Sequence, residues 1–433
     1  MSEKPKSSLS RSVSIIGVGA SKFGTPLDTP ELKDMSLQDK AGWACITAME
    51  DAGVNPRDIG KLIVGVVSSS WFNADTISPN YGLLEWLGMR GKASTTHNEG
   101  CATGMNCFNE AVDCVASGRY DIAICVDAEN FRSMSIPTKP SCYIVPSSEY
   151  KDFYGHDPLM GIAAVETAYT RWLGASYITV EQKGRHYTKE NGVTLDELEQ
   201  GLMGAAVTAR HHASRNPIAY TTQLWEDIAK SKGFDNVTDY FKSNYNPLIT
   251  EYSRPAYKCV PVDGASAIIV CATDIAKKYK QQPVEIMDIS QCDLQVMTPN
   301  VEMRLSRGVI EGVYEKTGYQ PEDIEYLGTT DMDLVDAIDS AEVVGYLPKG
   351  EGWKYFRDGE TRFDGSKPIN TNGGAPGLGH GAGATPLHGV VECVLQMRGQ
   401  AGERQIPKVP KVSMMRGQGA TQSATLVVLR TAE

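Results

Sequence analysis

Asp51-Ala52-Gly53-Val54-Asn55-Pro56-Arg57-Asp58-Ile59 recurs as Lys316-Thr317-Gly318-Tyr319-Gln320-Pro321-Glu322-Asp323-Ile324, 265 residues further on. Each copy follows an amphipathic stretch of helical period and precedes a short apolar run, 62–67 in one case and 324–328 in the other. The chain therefore carries two versions of one helix–turn–strand unit. Gly104 is matched by Gly383 and Cys114 by Cys393, both at an offset of 279, and the polar stretch 349–367 absorbs the difference between the two offsets. The same offset sets Cys101 against His380. Duplicated units pack about a pseudo-twofold axis, so these equivalent helix starts are expected to meet.

The stretch Asn98-Glu99-Gly100-Cys101-Ala102-Thr103-Gly104-Met105-Asn106 places a cysteine where a glycine-rich turn enters a helix, with a buried strand predicted over 120–127. The positive end of a helix dipole beside the sulfur favours thiolate. Gly100, Ala102 and Gly104 leave room for a bulky substrate. With His380 beside it, Cys101 becomes a nucleophile with a base. The plain alternatives are a packed core cysteine and a histidine making a structural hydrogen bond at a helix start.

Composition fits a large enzyme. The chain's 433 residues allow two halves of about 120–170 residues and an insertion. No apolar run approaches a membrane span, and the polar N-terminal stretch has no apolar leader core, so a cytoplasmic protein is expected. The ten cysteines lack paired spacing, which argues for a reducing compartment and against zinc or disulfides. A net charge of −11 argues against general nucleic-acid binding.

Residues 13–18 are predicted to form a first strand. Gly17 and Gly19 after it lack the third glycine of a dinucleotide fingerprint, since Lys22 stands there. Ser36 and Asp39 form a capping box for a helix over 37–52. Residues 128–255 have no counterpart in the second half and are expected to be an inserted loop domain, with helices near 159–173, 179–190 and 195–214. The first half then comprises 1–127 and 256–272, closing with the strand at 263–270, and the second comprises 273–433. Both alternate strands and helices, with apolar strands buried on both faces and the weakly polar helices after Cys101 and His380 between two sheets.

Over nearly its whole length the chain resembles the thiolase superfamily, most closely the sterol-carrier-type thiolases. Glu99-Gly100-Cys101-Ala102-Thr103-Gly104 is similar to the family's nucleophile motif, and His211-His212 through Asn216-Pro217 to its His/Asn-Pro stretch. Asp263-Gly264-Ala265, Asn370-Thr371-Asn372-Gly373-Gly374 through Gly379-His380, and Gly417-Gln418-Gly419-Ala420 resemble three further family motifs in the same order. The resemblance implies a duplicated five-layer αβαβα α/β fold. It also implies attack by Cys101 on the keto carbon of a 3-oxoacyl-CoA, with His380 as base and oxyanion donor. Gly417, Gly419, His212 and Asn372 are implied as substrate or oxyanion groups. Coenzyme A is then a substrate, with no bound cofactor and no metal.

The chain departs from the family pattern at three places. Val412-Ser413-Met414-Met415-Arg416 has no cysteine before the terminal glycine loop. Thr329-Thr330-Asp331-Met332-Asp333 replaces the family's Asn-Glu or His-Asp motif, and Gly381 stands where proline is usual after His380. Asp331 is a candidate replacement acid or, equally, a structural carboxylate. His388, two helical turns beyond His380, is expected to be structural. The departures suggest a bulky, branched or aromatic substrate. A carbon–carbon lyase and a non-catalytic scaffold subunit remain as alternatives. A homodimer is expected, and the resemblance implies a small OB-fold, zinc-ribbon partner subunit.

Overall fold

The computed structural model describes residues 5–67, 79–130, 180–293, 299–419 and 423–432. The first half contributes β1 (Val13–Ala20), α1 (Leu37–Ala52), β2 (Lys61–Gly65), α2 (Pro79–Trp86), β3 (Ala93–His97), α3 (Thr103–Ala116) and β4 (Ile122–Asn130). Next come α4 (Leu195–Ala213) and β5 (Asp263–Ala272). The second half has β6 (Val284–Asp293), α5 (Pro299–Thr317), β7 (Tyr326–Thr329), α6 (Leu334–Val343), α7 (Ala384–Met397), β8 (Val412–Gln418) and β9 (Ser423–Thr431).

Local signals set several of these boundaries. Ser36 and Asp39 cap α1 reciprocally. Gly53 ends α1 at φ 69°, and its repeat partner Gly318 follows α5 at φ 77°, both left-handed conformations that glycine adopts without strain. A 3₁₀ turn then occupies Pro56–Asp58 in one copy and Pro321–Asp323 in the other. Gly17 and Gly19 serve packing. A Cβ at either would lie 2.3 Å from a carbonyl oxygen of α1, so the glycines let that helix press on β1. The predicted strand over 120–127 runs on to Asn130, into the expected insertion. Residues 180–191 and α4 are helical, whereas the helix expected near 159–173 lies outside the described residues.

The strands follow the order β3-β2-β4-β5-β1-β6-β9-β8-β7. Antiparallel pairing of Val13 with Ile286 joins the halves at the centre. Outward from it, β5, β4 and β2 on one side mirror β9, β8 and β7 on the other, with the β2–β4 and β7–β8 pairs both parallel. Alternation along each strand feeds three separate cores. Leu62, Val64, Ile122 and Ile124 face α1, Leu426 and Val428 face α5 and α6, and Ile63, Cys125, Val427 and Leu429 face α3 and α7 between them. This is the five-layer thiolase-like arrangement, with the two expected sheets joined into one nine-stranded sheet by the β1–β6 pairing. Helix α7 is buried nearly all round, as a central layer requires, and its one carboxylate, Glu392, is paired with Arg404 at 2.9 Å. Helix α4 lies against the short helix Gly352–Arg357, so close that a Cβ on Gly204 would meet Phe356 O at 2.2 Å.

Candidate active site

The two central helices touch through glycines. A Cβ on Gly104 would sit 2.2 Å from Gly383 O, and one on Gly383 would sit 2.7 Å from Gly104 N. No other residue type permits this approach, and it brings together the turns that precede the helices. Cys101 Sγ lies 3.2 Å from His380 Nε2. The two residues paired by offset in the sequence are therefore in hydrogen-bonding contact, with Cys101 at 6% exposure and His380 at 0%.

Each turn is built differently. Around Cys101, Thr103 Oγ1 donates to Gly100 O and accepts from Glu99 N–H, both at 2.7 Å, while Gly100 takes φ 60°. Around His380 the backbone is clamped. Its N–H donates to Val260 O at 2.7 Å and its carbonyl accepts from Val262 N–H at 3.1 Å. Thr385 Oγ1 ties the same loop by donating to Gly379 O and accepting from Gly381 N–H. Burial, with a smaller contribution from Lys258, pulls the His380 pKa down to about 4. The imidazole is thus neutral at neutral pH, the state in which a ring nitrogen accepts a thiol proton.

The other expected residues take different places. Gly417 lies against α3, where a Cβ would fall 2.5 Å from Met105 Cγ, so this strand end abuts the helix that follows Cys101. Gly419 donates its N–H to Ser423 O at 2.9 Å. The pairing of the ends of β8 and β9 uses that amide internally, so it is not offered to a substrate oxygen. His212 accepts from Phe363 N–H at Nε2 (2.9 Å) and donates from Nδ1 to Asn370 O (3.0 Å), which uses both ring nitrogens to hold α4 on the second half. Asn372 donates to His388 Nδ1 and accepts from Gly374 N–H, both at 2.9 Å. Asp331 accepts from Asn370 Nδ2 at 2.8 Å and from Ala375 N–H at 2.7 Å, and burial lifts its pKa to about 7. These bonds make His212, Asn372 and Asp331 the frame of the 370–375 turn that leads into the His380 loop. A small cavity of about 20 Å³ lies behind that frame between Thr208, His212, Asp331, Phe356 and Asn370.

Sequence reasoning missed Asp127, Glu129, Lys258 and Thr385. Two acids ending an otherwise apolar strand at 122–126 were the available signal for the first pair. Among the described residues no three His, Cys, Asp or Glu side chains converge as a metal site, and no helix is long and apolar enough to cross a membrane.

A family model described as "Thiolase, N-terminal domain" matches residues 13–183, and one described as "Thiolase C-terminal domain-like" matches 297–431, together well over half the chain. The chain belongs to the thiolase family and is a thiolase-like acyltransferase. It is 27% identical over 402 residues to the acetyl-CoA acetyltransferase of Methanothermobacter thermautotrophicus, covering 92% of this chain and 93% of that protein. It is 25% identical over 425 residues to benzoylsuccinyl-CoA thiolase subunit BbsB of Thauera aromatica, covering 94% of each. A solved structure titled "Ltp2-ChsH2(DUF35) aldolase" superposes with a TM-score of 0.71 at 22% identity, over 99% of this chain and all of that one.

Proposed function

We propose that this acyl-CoA C-acyltransferase cleaves a 3-oxoacyl-CoA through an acyl-enzyme on Cys101. The observation that carries the reading is the 3.2 Å contact between Cys101 Sγ and the neutral His380 Nε2 at the start of two helices. His380 takes the thiol proton as Sγ attacks the keto carbon. The C2–C3 bond then breaks, the acyl group stays on sulfur, and C2 leaves as the enolate of a shorter CoA ester. No cysteine precedes the terminal glycine loop. His380, protonated in the first step, is the group in place to return that proton to C2. The thiol of a second CoA then takes the acyl group and restores Cys101.

A bulky aromatic substrate such as 2-benzoylsuccinyl-CoA is our choice, supported by the name of the Thauera relative and by the departures at Thr330 and Ser413. The names of that subunit and of the DUF35 aldolase also support a partner subunit, for which the small OB-fold, zinc-ribbon kind is our choice. The edge strand β3, half-exposed and at the end of the sheet, supports a homodimer. Incubation with CoA and 2-benzoylsuccinyl-CoA, followed by mass spectrometry, is expected to yield benzoyl-CoA and succinyl-CoA. No cleavage of this or any smaller 3-oxoacyl-CoA, alone or with the co-expressed partner, would refute the reading. A second reading, retro-aldol cleavage, draws on the missing cysteine and the aldolase neighbour. It consumes no CoA, so product formed without added CoA from a 3-hydroxyacyl ester would favour it.

A further inference from the structure

Beneath the Cys101 turn, β4 ends in two acids that point into the central layer. Ile122, Ile124, Val126 and Ala128 face α1, so alternation turns Asp127 and Glu129 toward α3 and α7. Both are completely buried. Glu129 accepts from Val67 N–H at 2.7 Å. Among the described residues neither oxygen of Asp127 receives a hydrogen bond from an N–H or a hydroxyl, its side-chain partner being the neighbouring Glu129 carboxyl, and the buried hydroxyl of Ser266, its cross-strand neighbour on β5, has none.

The surroundings of Asp127 are the starts of both central helices. The point where a Gly383 Cβ would sit is 2.4 Å from Asp127 Oδ2 and 2.7 Å from Gly104 N. The corresponding point on Gly65 is 2.3 Å from the same oxygen and 2.9 Å from the Thr103 methyl. The carboxyl and Cys101 thus approach the same end of α3 from two sides, and two anions there would compete for one positive helix end. Two charged carboxylates side by side here would be buried without a cation between them, far costlier than a pair that keeps one proton, and Glu129, already accepting from Val67 N–H, is the better placed of the two to carry the charge.

We propose that Asp127 is a positioning residue held as a neutral carboxylic acid, leaving the positive end of α3 to the Cys101 thiolate. The inference rests on the reading of Cys101 as nucleophile. Burial and the neighbouring Glu129 hold the Asp127 carboxyl well above the usual carboxylate range. Among the described residues, the titratable groups around it are Glu129 and Cys125 on its own strand and Cys107 on α3. Around Cys101 they are His380, backed by Lys258, and Glu99.

Two measurements on the full chain, neither needing turnover, decide the matter. Infrared spectroscopy at mildly alkaline pH is expected to show a protonated-carboxyl band that is lost in Asp127→Asn. The rate of Cys101 alkylation by iodoacetamide, followed by peptide mass spectrometry at neutral pH, is expected to change less than about tenfold in that variant. A spectrum in which Asp127→Asn removes no such band overturns the proposal. So does a variant alkylated more than about tenfold faster, the sign of a carboxylate that had been charged. Asp127→Ser, also neutral and smaller, enters the same comparison if the Asn variant does not fold. If wild-type Cys101 reacts no faster than the other cysteines, the nucleophile reading fails, and the infrared band still reports separately whether Asp127 is protonated.

Discussion

The turn that carries Cys101 and the turn that carries His380 are repeat partners, yet they are built to opposite requirements. The His380 loop is locked, with main-chain bonds to Val260 and Val262, a Thr385 clasp, and positive φ at Gly379 (108°) and at Ala382 (38°). An alanine in that conformation is strained, and such strain persists only where the surroundings over-determine the backbone. Among the described residues the Cys101 turn is closed by its own Thr103 and by 3.1–3.3 Å backbone bonds to Glu99 and Gly100. Duplication supplied one geometry twice. Divergence made one copy a rigidly held imidazole and left the other a compact turn whose sulfur keeps slight exposure.

The largest expected effect separates the two turns chemically. Cys101→Ala should abolish the acyl-enzyme mass shift and lower turnover by several orders of magnitude, beyond anything a packing change does. A variant that still turns over would remove the asymmetry altogether. His380→Ala should slow acylation by roughly 10²–10⁴-fold, read by single-turnover kinetics. His388→Ala breaks the bond to Asn372 and should cost about 1–3 kcal/mol of stability in urea unfolding, with less than about tenfold loss of rate. If His388 proves the more damaging to rate, the offset of 279 pairs the wrong histidine with Cys101.

Smaller effects test the helix contact. Gly383→Ala places a methyl 2.7 Å from the backbone nitrogen of Gly104 and should destabilise by about 1–3 kcal/mol. Gly389→Ala, one and a half turns on, meets only the movable end of Met415 and should be milder, offset by the better helix propensity of alanine. Equal midpoints in denaturant would show that the Gly104–Gly383 approach is not the constraint.

A further effect, spread over several groups, is a pH dependence of stability. His212, His380 and His388 are each depressed to about 4 by burial, against about 6.5 in the unfolded chain. The unfolded state therefore binds more protons between these values, so their contribution is present above pH 6.5 and is lost as pH falls toward 4. Asp331, raised to about 7 from 3.8, and Asp127, held protonated, have the opposite sign over the same window and together cancel about two of the three protons. Urea titrations at pH 7, 6, 5 and 4 should show stability falling toward acid. A flat profile would mean that the histidines are not held neutral.

Much of this was legible in sequence because the signals are local. The capping box of Ser36 and Asp39, the left-handed glycines at 53 and 318, and the proline turns after them need only a few residues each. The Cys101–His380 pairing, 279 residues apart, was legible for a different reason, since duplication turns an offset in sequence into a relation in space. Gly419 and Asp331 were not readable in this way. Their partners, Ser423 and Ala375, are fixed by a hairpin register and by a turn packing on β7, and a motif does not record whether an amide or a carboxylate is already engaged.

By itself, then, the sequence determined that the chain is two copies of one strand–helix unit, which residues lead the central helices, and that one leads with a thiol and the other with an imidazole. The tertiary structure alone decided that β1 and β6 join the halves, that His212 and Asn372 brace the 370–375 turn, and that Asp127 is buried beside Glu129 under the start of α3. The reason is physical. Turn and cap preferences act over three or four residues, whereas which buried polar groups find partners depends on close packing between segments that no linear pattern brings together.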